Sequence, residues 1–290
     1  MSEWFLEFPE NFYIDIKKPI DKAIEYMLKN WDPFFDTVSD VLRSLLNGID
    51  TVVNLIPWWL LIIAVFAVTY KMSKKLSRSL LYAALLLFIG AIGLWDKMND
   101  TLTIVIASVI ISLLIGLPIG IIISSNRKAN TIMRPILDTM QTMPSFVYLI
   151  PAVMLLGLGN VSGVIATTIY AVPPVIRLTS HGIQQVDTEV VEAAKAFGST
   201  RMQTLFKVQI PQALPTIMTG VNQTIMMAIS MVVTCSMIGV AGLGEEVLNG
   251  INRLESGRGF AAGIAIVIMA IIMDRLTQGI FKKERMPNDG

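Results

Sequence analysis

The sequence predicts an all-α polytopic membrane protein with about seven transmembrane helices and an amphipathic helix ahead of them. Three observations carry that reading. Of the 290 residues, 53% are hydrophobic and 16% charged, well below the roughly 25% charged of an ordinary soluble domain. Mean hydropathy is +0.63. The apolar residues gather into runs approaching the roughly 20 that a helix needs to cross a hydrocarbon core, where each backbone polar group has to be satisfied within the segment. Net charge is +1 and the basic residues are spread among loops, so no nucleic-acid surface is expected.

Taken in order, the first residues are acidic and aromatic and are interrupted by Pro9 and Pro19, without the basic start and apolar run of an export signal. Over residues 30–56, Phe34, Phe35, Val38, Val41, Leu42, Leu45, Leu46, Ile49, Val52 and Val53 recur at three and four spacing, while Asp36, Ser39, Asp40, Arg43, Asn47 and Asp50 take the other face. This is an amphipathic helix, suited to lie in the outer membrane interface or to pack against a partner subunit. Apolar windows then place spans at 57–70, 79–95, 101–124, 139–157, 161–176, 217–238 and 260–280, with Pro57, Trp58 and Trp59 suiting an aromatic belt.

The segments after spans one, three, five and seven hold Lys71, Lys74, Lys75 and Arg78, then Arg127, Lys128 and Arg134, then Arg177, Lys195, Arg201 and Lys207, then Arg275, Lys282, Lys283 and Arg285. The opposite segments between spans carry only Lys97, Arg253 and Arg258. The positive-inside tendency therefore puts residues 1–56 outside and the tail, 281–290, in the cytoplasm.

Ion-coupled carriers and membrane enzymes need ionisable groups within their spans. These spans are almost empty of them; Asp274 stands near the inner end of the last span, beside Arg275. No H-E-x-x-H or G-x-S-x-G motif occurs. His181, the single histidine, is read as a loop residue, and the lone Cys235 as a buried small residue that cannot form an intrachain disulfide. Gly239, Gly242 and Gly244 follow a helix instead of a strand, which suits a bend before an outer re-entrant segment and not a dinucleotide loop. With no Walker-type loop, this chain is expected to bind no cofactor, and a partner that hydrolyses nucleotide is expected to drive any active transport.

The longest cytoplasmic segment between spans, 177–216, reads as helix, break, helix. Asp187 and Thr188 cap a helix through Glu189, Glu192, Ala193, Ala194 and Lys195, and Gly198 suits a left-handed end. Thr200 and Gln203 fit a capping box for a second helix, which Pro211 and Pro215 are expected to stop. Val190, Val191, Ala194, Phe197, Met202, Leu205 and Phe206 give the pair an apolar surface able to enter a partner's groove.

The run Glu192, Ala193, Ala194, three residues, Gly198, nine residues, Val208, one residue, Ile210, Pro211 resembles the EAA signature of bacterial ABC importer permeases; Val208 and Ile210 replace the usual Ile and Leu before the proline. Residues 137–151 (LDTMQTMPSFVYLIP), 171–179 (AVPPVIRLT), 196–213 (AFGSTRMQTLFKVQIPQA), 239–247 (GVAGLGEEV) and 262–278 (AGIAIVIMAIIMDRLTQ) are similar to glycine betaine and proline betaine permeases. The resemblance covers roughly residues 100–280. It implies a five-helix type I importer core over 96–280, with the two spans of 57–95 as an N-terminal addition. It further implies a second permease copy, an ATPase subunit holding ATP and Mg on the cytoplasmic side, and a separate substrate-binding protein outside, in the plasma membrane of a bacterium. The loop is then the coupling element that meets the ATPase, through Glu192, Ala193, Ala194, Phe197, Gly198, Val208, Ile210 and Pro211. Methionine, taurine, nitrate and phosphonate importers share the loop, so the betaine cargo rests on the wider similarity, with choline and carnitine as the open alternatives.

A betaine joins a quaternary ammonium to a carboxylate, and aromatic faces suit the cation. Phe146, Tyr148, Tyr170, Met226, Met227 and Met231 are the candidates to line a path, and Pro118, Pro144, Pro151, Pro173 and Pro174 the candidates to kink it. Channel, carrier and scaffold readings would dispense with the ATPase or with flux.

Overall fold

The computed structural model describes residues 15–282, and these are helical with no strand among them. The expected pieces that fall in 1–14 and 283–290 lie outside the described residues. In chain order the helices are α1 (Lys17–Leu55), α2 (Trp58–Ser73), α3 (Leu76–Ala91), α4 (Trp95–Ser125), α5 (Arg127–Thr142), α6 (Ser145–Leu156), α7 (Asn160–Gln184), α8 (Thr188–Ala196), α9 (Arg201–Thr204), α10 (Ile210–Cys235), α11 (Leu243–Asn252) and α12 (Ser256–Lys282).

Four stretches are long and apolar enough to cross a membrane alone: Trp95–Ser125, Asn160–Gln184, Arg201–Ile238 and Ser256–Gly279. Two bent pairs, α1 with α2 at 86° and α5 with α6 at 96°, bring the number to six, against the seven apolar windows of the sequence. The window not among the six is 79–95, whose helix α3 is apolar but has only 16 residues. The window 139–157 is not one helix, because Pro144 forces Met143 out of the helical region to ψ 134 and the chain turns there. Ile56 before Pro57 behaves alike, with ψ 113.

The centre is built from α4, α7 and α10, with α7 packed on both others. Glycines permit the close approach. A Cβ on Gly120 would meet Thr179 Cβ at 2.7 Å and the Ile176 carbonyl oxygen at 2.9 Å, and one on Gly220 would lie 3.2 Å from the Pro174 carbonyl. Small hydroxyls tie the same faces, Ser112 Oγ donating to the Thr168 carbonyl at 3.3 Å and Thr168 Oγ1 to the Ser108 carbonyl at 3.4 Å. Without a hydrophobic drive between helices in lipid, this small-residue packing is what brings spans together.

The amphipathic helix starts earlier than residue 30, at Lys17, and Pro19 sits in its first turn, where a missing N–H costs nothing. Part of its apolar face is used within the chain. Ser39, Leu42 and Leu46 are buried and α1 packs on α4, α6 and α7 of its own chain. Asn99 Nδ2 donates to Asn54 Oδ1 at 3.1 Å, which fastens the end of α1 to the start of α4.

Candidate functional site

The loop expected over 177–216 is shorter than that segment, because α7 runs on to Gln184 and carries Arg177 and His181 in its final turns. Asp187 caps α8, its Oδ1 accepting from the Glu189 N–H at 2.9 Å. α8 closes through Phe197 N–H to Ala193 carbonyl at 3.1 Å, and Gly198 follows at φ +81. Only glycine takes that conformation freely. The reciprocal capping box of Thr200 and Gln203 opens α9, with Thr200 N–H donating to Gln203 Oε1 at 2.8 Å. Ser199 and Thr204 hydroxyls, 2.7 Å apart, brace the bend between α8 and α9.

The second helix does not stop at Pro211 or Pro215. A π-turn over Leu205–Gln209 precedes Pro211, and the chain continues as one helix from Arg201 to Ile238. A wider turn at that point relieves the clash between a proline ring and the preceding turn, so Pro211 is accommodated without a break in the helix.

The expected apolar surface divides in two. Leu205 is buried with Ile183, Ala213 and Ile217, and Ile210 packs against them, forming a small core that roots the loop on α7 and α10. Phe197 at 93% exposure, Met202 and Phe206 stand outside it. Glu192, Ala193, Gly198 and Pro211 are exposed as well, while Ala194 and Val208 are half-buried. The loop is thus a braced helical knob with an apolar tip.

The expected path residues do not share one surface. Tyr148 is buried; its hydroxyl donates to the Met140 carbonyl across the Pro144 bend, and its ring meets Tyr170 edge-on at 5.8 Å. Tyr148 therefore pins the turn between α5 and α6. Tyr148→Phe is expected to lower thermal stability by about 1 kcal/mol, the net worth of one hydrogen bond, read as an earlier unfolding midpoint. Phe146 is exposed. Met226 and Met227 are half-buried, and Met231 is fully buried in the core.

Asp274 has better partners than its neighbour Arg275. Asn222 Nδ2 on α10 and Gln278 Nε2 donate to its Oδ1 at 2.9 and 2.7 Å, against 3.8 Å to Arg275. That bond from α10 to α12 has a residue separation no helical pattern predicts. At the other end of the helices, Lys97 pairs with Glu245 at 2.8 Å, and Arg258 grips Glu246 through two hydrogen bonds of 2.7 and 3.1 Å. The fork from Arg258 holds the Glu246 carboxyl below its ordinary value of 4.5 despite burial, which acts the other way. A lowered folded value means that this stabilisation is present above about pH 4.5 and is lost as pH falls through the folded value. Faster hydrogen exchange over α11 in acid is the expected result, and Glu246→Gln should flatten that dependence. Among the described residues, no cluster of three His, Cys, Asp or Glu is placed to hold a metal ion.

A multi-pass bundle with a rigid apolar knob held out on one loop defines the class, a membrane transport subunit. Residues 113–285 match the family described as binding-protein-dependent transport system inner membrane component, and the chain belongs to that family. It is 46% identical to the glycine betaine/carnitine transport permease protein GbuB of Listeria monocytogenes, over 92% of this chain and 95% of that one. It is 44% identical to the glycine betaine/proline betaine transport system permease protein ProW of Escherichia coli, over 92% of this chain and 75% of that one. Among solved structures, an inward-facing MetNI methionine ABC transporter chain matches at TM-score 0.60 and 20% identity, covering 67% of this chain and 96% of that one, so the likeness is one of fold.

Proposed function

We propose that this chain is the permease subunit of an ATP-driven importer for glycine betaine and related betaines, in the plasma membrane of a bacterium. The single observation that carries the cargo is the near full-length similarity to permeases named for glycine betaine. The N-terminus is outside and the C-terminus inside, with Lys and Arg gathered on the inner segments.

A separate ATPase subunit binds ATP and Mg beneath the bundle and receives the knob of α8 and α9. Phe197, Met202 and Phe206 enter its groove, and Gly198 and the capping box keep the two short helices at a fixed angle. Glu192, Ala193 and Ala194 form the close-approach face of α8, and Val208, Ile210 and Pro211 hold its root. A binding protein delivers the solute from outside, and a second copy of this chain completes the assembly. Nucleotide binding and release then bias two states of the bundle, each with its own differential affinity for the solute-loaded binding protein.

The test is reconstitution in liposomes with the ATPase and binding protein of the same transport system, followed by uptake of labelled glycine betaine. ATP-dependent uptake is expected. Stimulation of the ATPase by carnitine or choline with no betaine uptake would replace the cargo, and no association with an ATPase would overturn the reading.

A further inference from the structure

α5 and the last turns of α7 face each other across a cleft of about 350 Å³. Its polar lining comes from two rows at helical spacing. Asn130, Arg134 and Asp138 stand four apart on α5, and Arg177, His181 and Gln184 stand four and three apart on α7, with Ser180 beside them. Ile123 and Leu137, both buried, complete the lining.

Two guanidiniums meet one carboxylate there. Arg177 is paired with Asp138, which leaves Arg134 as the surplus charge. Its Nε donates to Asn130 Oδ1 at 3.2 Å within α5, and its terminal nitrogens have no acceptor among the described residues. Ser180, 4% exposed, accepts from Gln184 Nε2 at 3.4 Å, but its own hydroxyl proton has no acceptor among those residues. The ring of His181 has no hydrogen bond among them either. The unspent capacity of Arg134 and of the Asn130 amide is all donor, and Ser180 and His181 each offer one donor more.

Donors that converge from two helices around a net positive charge suit a ligand made of acceptors. A carboxylate presents two oxygens in one plane, whereas a phosphate presents its oxygens in tetrahedral directions and can take donors from both sides of a cleft. The other face of α5 exposes Ile132 and Ile136, as a helix does that meets hydrocarbon, so the cleft sits at the membrane boundary, where phospholipid headgroups and soluble phosphates both reach.

We infer that this cleft binds a phosphate-bearing anion, the headgroup of an anionic phospholipid or a soluble phosphate, held by Arg134, Ser180 and His181 between α5 and α7. Asp138 is neutralised by Arg177 and does not repel the ligand. The bound anion ties α5 to the end of α7, directly before the Asp187 cap of the loop. The site rests neither on the cargo nor on the ATPase proposed above.

The experiment titrates the purified full chain in a neutral detergent with phosphatidylglycerol, with phosphatidylcholine of the same acyl chains and with inorganic phosphate, and reads the bound molecules by native mass spectrometry. Wild type is expected to bind one of the two anions about ten-fold more tightly than Arg134→Gln, the loss of one charge-assisted hydrogen bond, with phosphatidylcholine indifferent to the substitution. Lys75→Gln removes a charge outside the cleft and should bind as wild type does. Phosphatidylglycerol that millimolar inorganic phosphate fails to displace identifies the lipid headgroup as the ligand; displacement identifies the soluble anion. Should Arg134→Gln fail to purify, Ser180→Ala and His181→Gln make the comparison, each expected to weaken binding about three-fold. Equal binding of both anions by wild type and the cleft variants, or an equal loss in Lys75→Gln, overturns the site.

Discussion

Gly120→Val is expected to leave little folded protein. Its Cβ would stand 2.7 Å from Thr179 Cβ and 2.9 Å from the Ile176 carbonyl oxygen, and a backbone carbonyl inside a helix cannot move aside as a side-chain tip can. Relief requires α4 and α7 to separate, which also stretches the Ser112 and Thr168 hydrogen bonds between them. Overpacking of this kind costs about 1–3 kcal/mol for a single methylene, and valine adds more. Glycines elsewhere supply the control. Gly48 in α1 and Gly263 in α12 have nothing within 4 Å of an added Cβ, so Gly48→Ala and Gly263→Ala should hold or gain about 0.5–1 kcal/mol from helix propensity. The buried, solitary Cys235 gives the measurement, because a thiol-reactive dye reports its exposure during thermal unfolding. An unfolding midpoint for Gly120→Val equal to that of wild type would refute the packing argument.

The second large effect is functional. Gly198→Val should cut ATP-dependent uptake to a small fraction of wild type in complexes whose bundle remains folded. An added Cβ at Gly198 meets nothing within 4 Å, so the penalty is not a clash; it lies in φ +81. A left-handed residue costs roughly 1–2 kcal/mol for an ordinary side chain, more when branched. Because Gly198 joins α8 to the capped start of α9, the strain is relieved by changing the angle between them, and the knob loses its shape. Substitutions should rank Gly above Asn, then Ala, then Val, in the order that each tolerates positive φ. Uptake and co-purification of the ATPase, measured together, decide the matter: wild-type values for the valine variant would show that the bend carries no coupling.

Much of the fold was legible in local pattern. The amphipathic stripe of α1, the Asp187 cap, the Thr200 and Gln203 box and the positive φ of Gly198 all depend on neighbours within a few residues. What escaped depends on neighbours far along the chain. Nothing local says that Leu42 and Leu46 cover α4, α6 and α7 of the same chain, since an apolar stripe is equally content against lipid. The chain's response to proline also differs from place to place. Pro144 and Pro57 end helices, whereas Pro118, Pro151, Pro173 and Pro174 lie within continuous ones, because packing on both sides outweighs one missing hydrogen bond. Among candidate site residues, the caps and bend of the loop follow from spacing, whereas the burial of Met231 and Tyr148 depends on packing between helices. Helical periodicity locates a face without saying which face is empty.

The continuity of the chain from Arg201 to Ile238 makes one lever of two regions that the sequence seemed to separate. At about 1.5 Å per residue, its 38 residues measure about 57 Å. A tilt of only about 5° about the Arg201 end sweeps the far end through about 5 Å, enough to displace a neighbouring helix by half its width. With the knob at one end and the Gly239 to Gly242 turn at the other, a displacement of one end reaches the other without a hinge within α10. The amplitude is set by leverage.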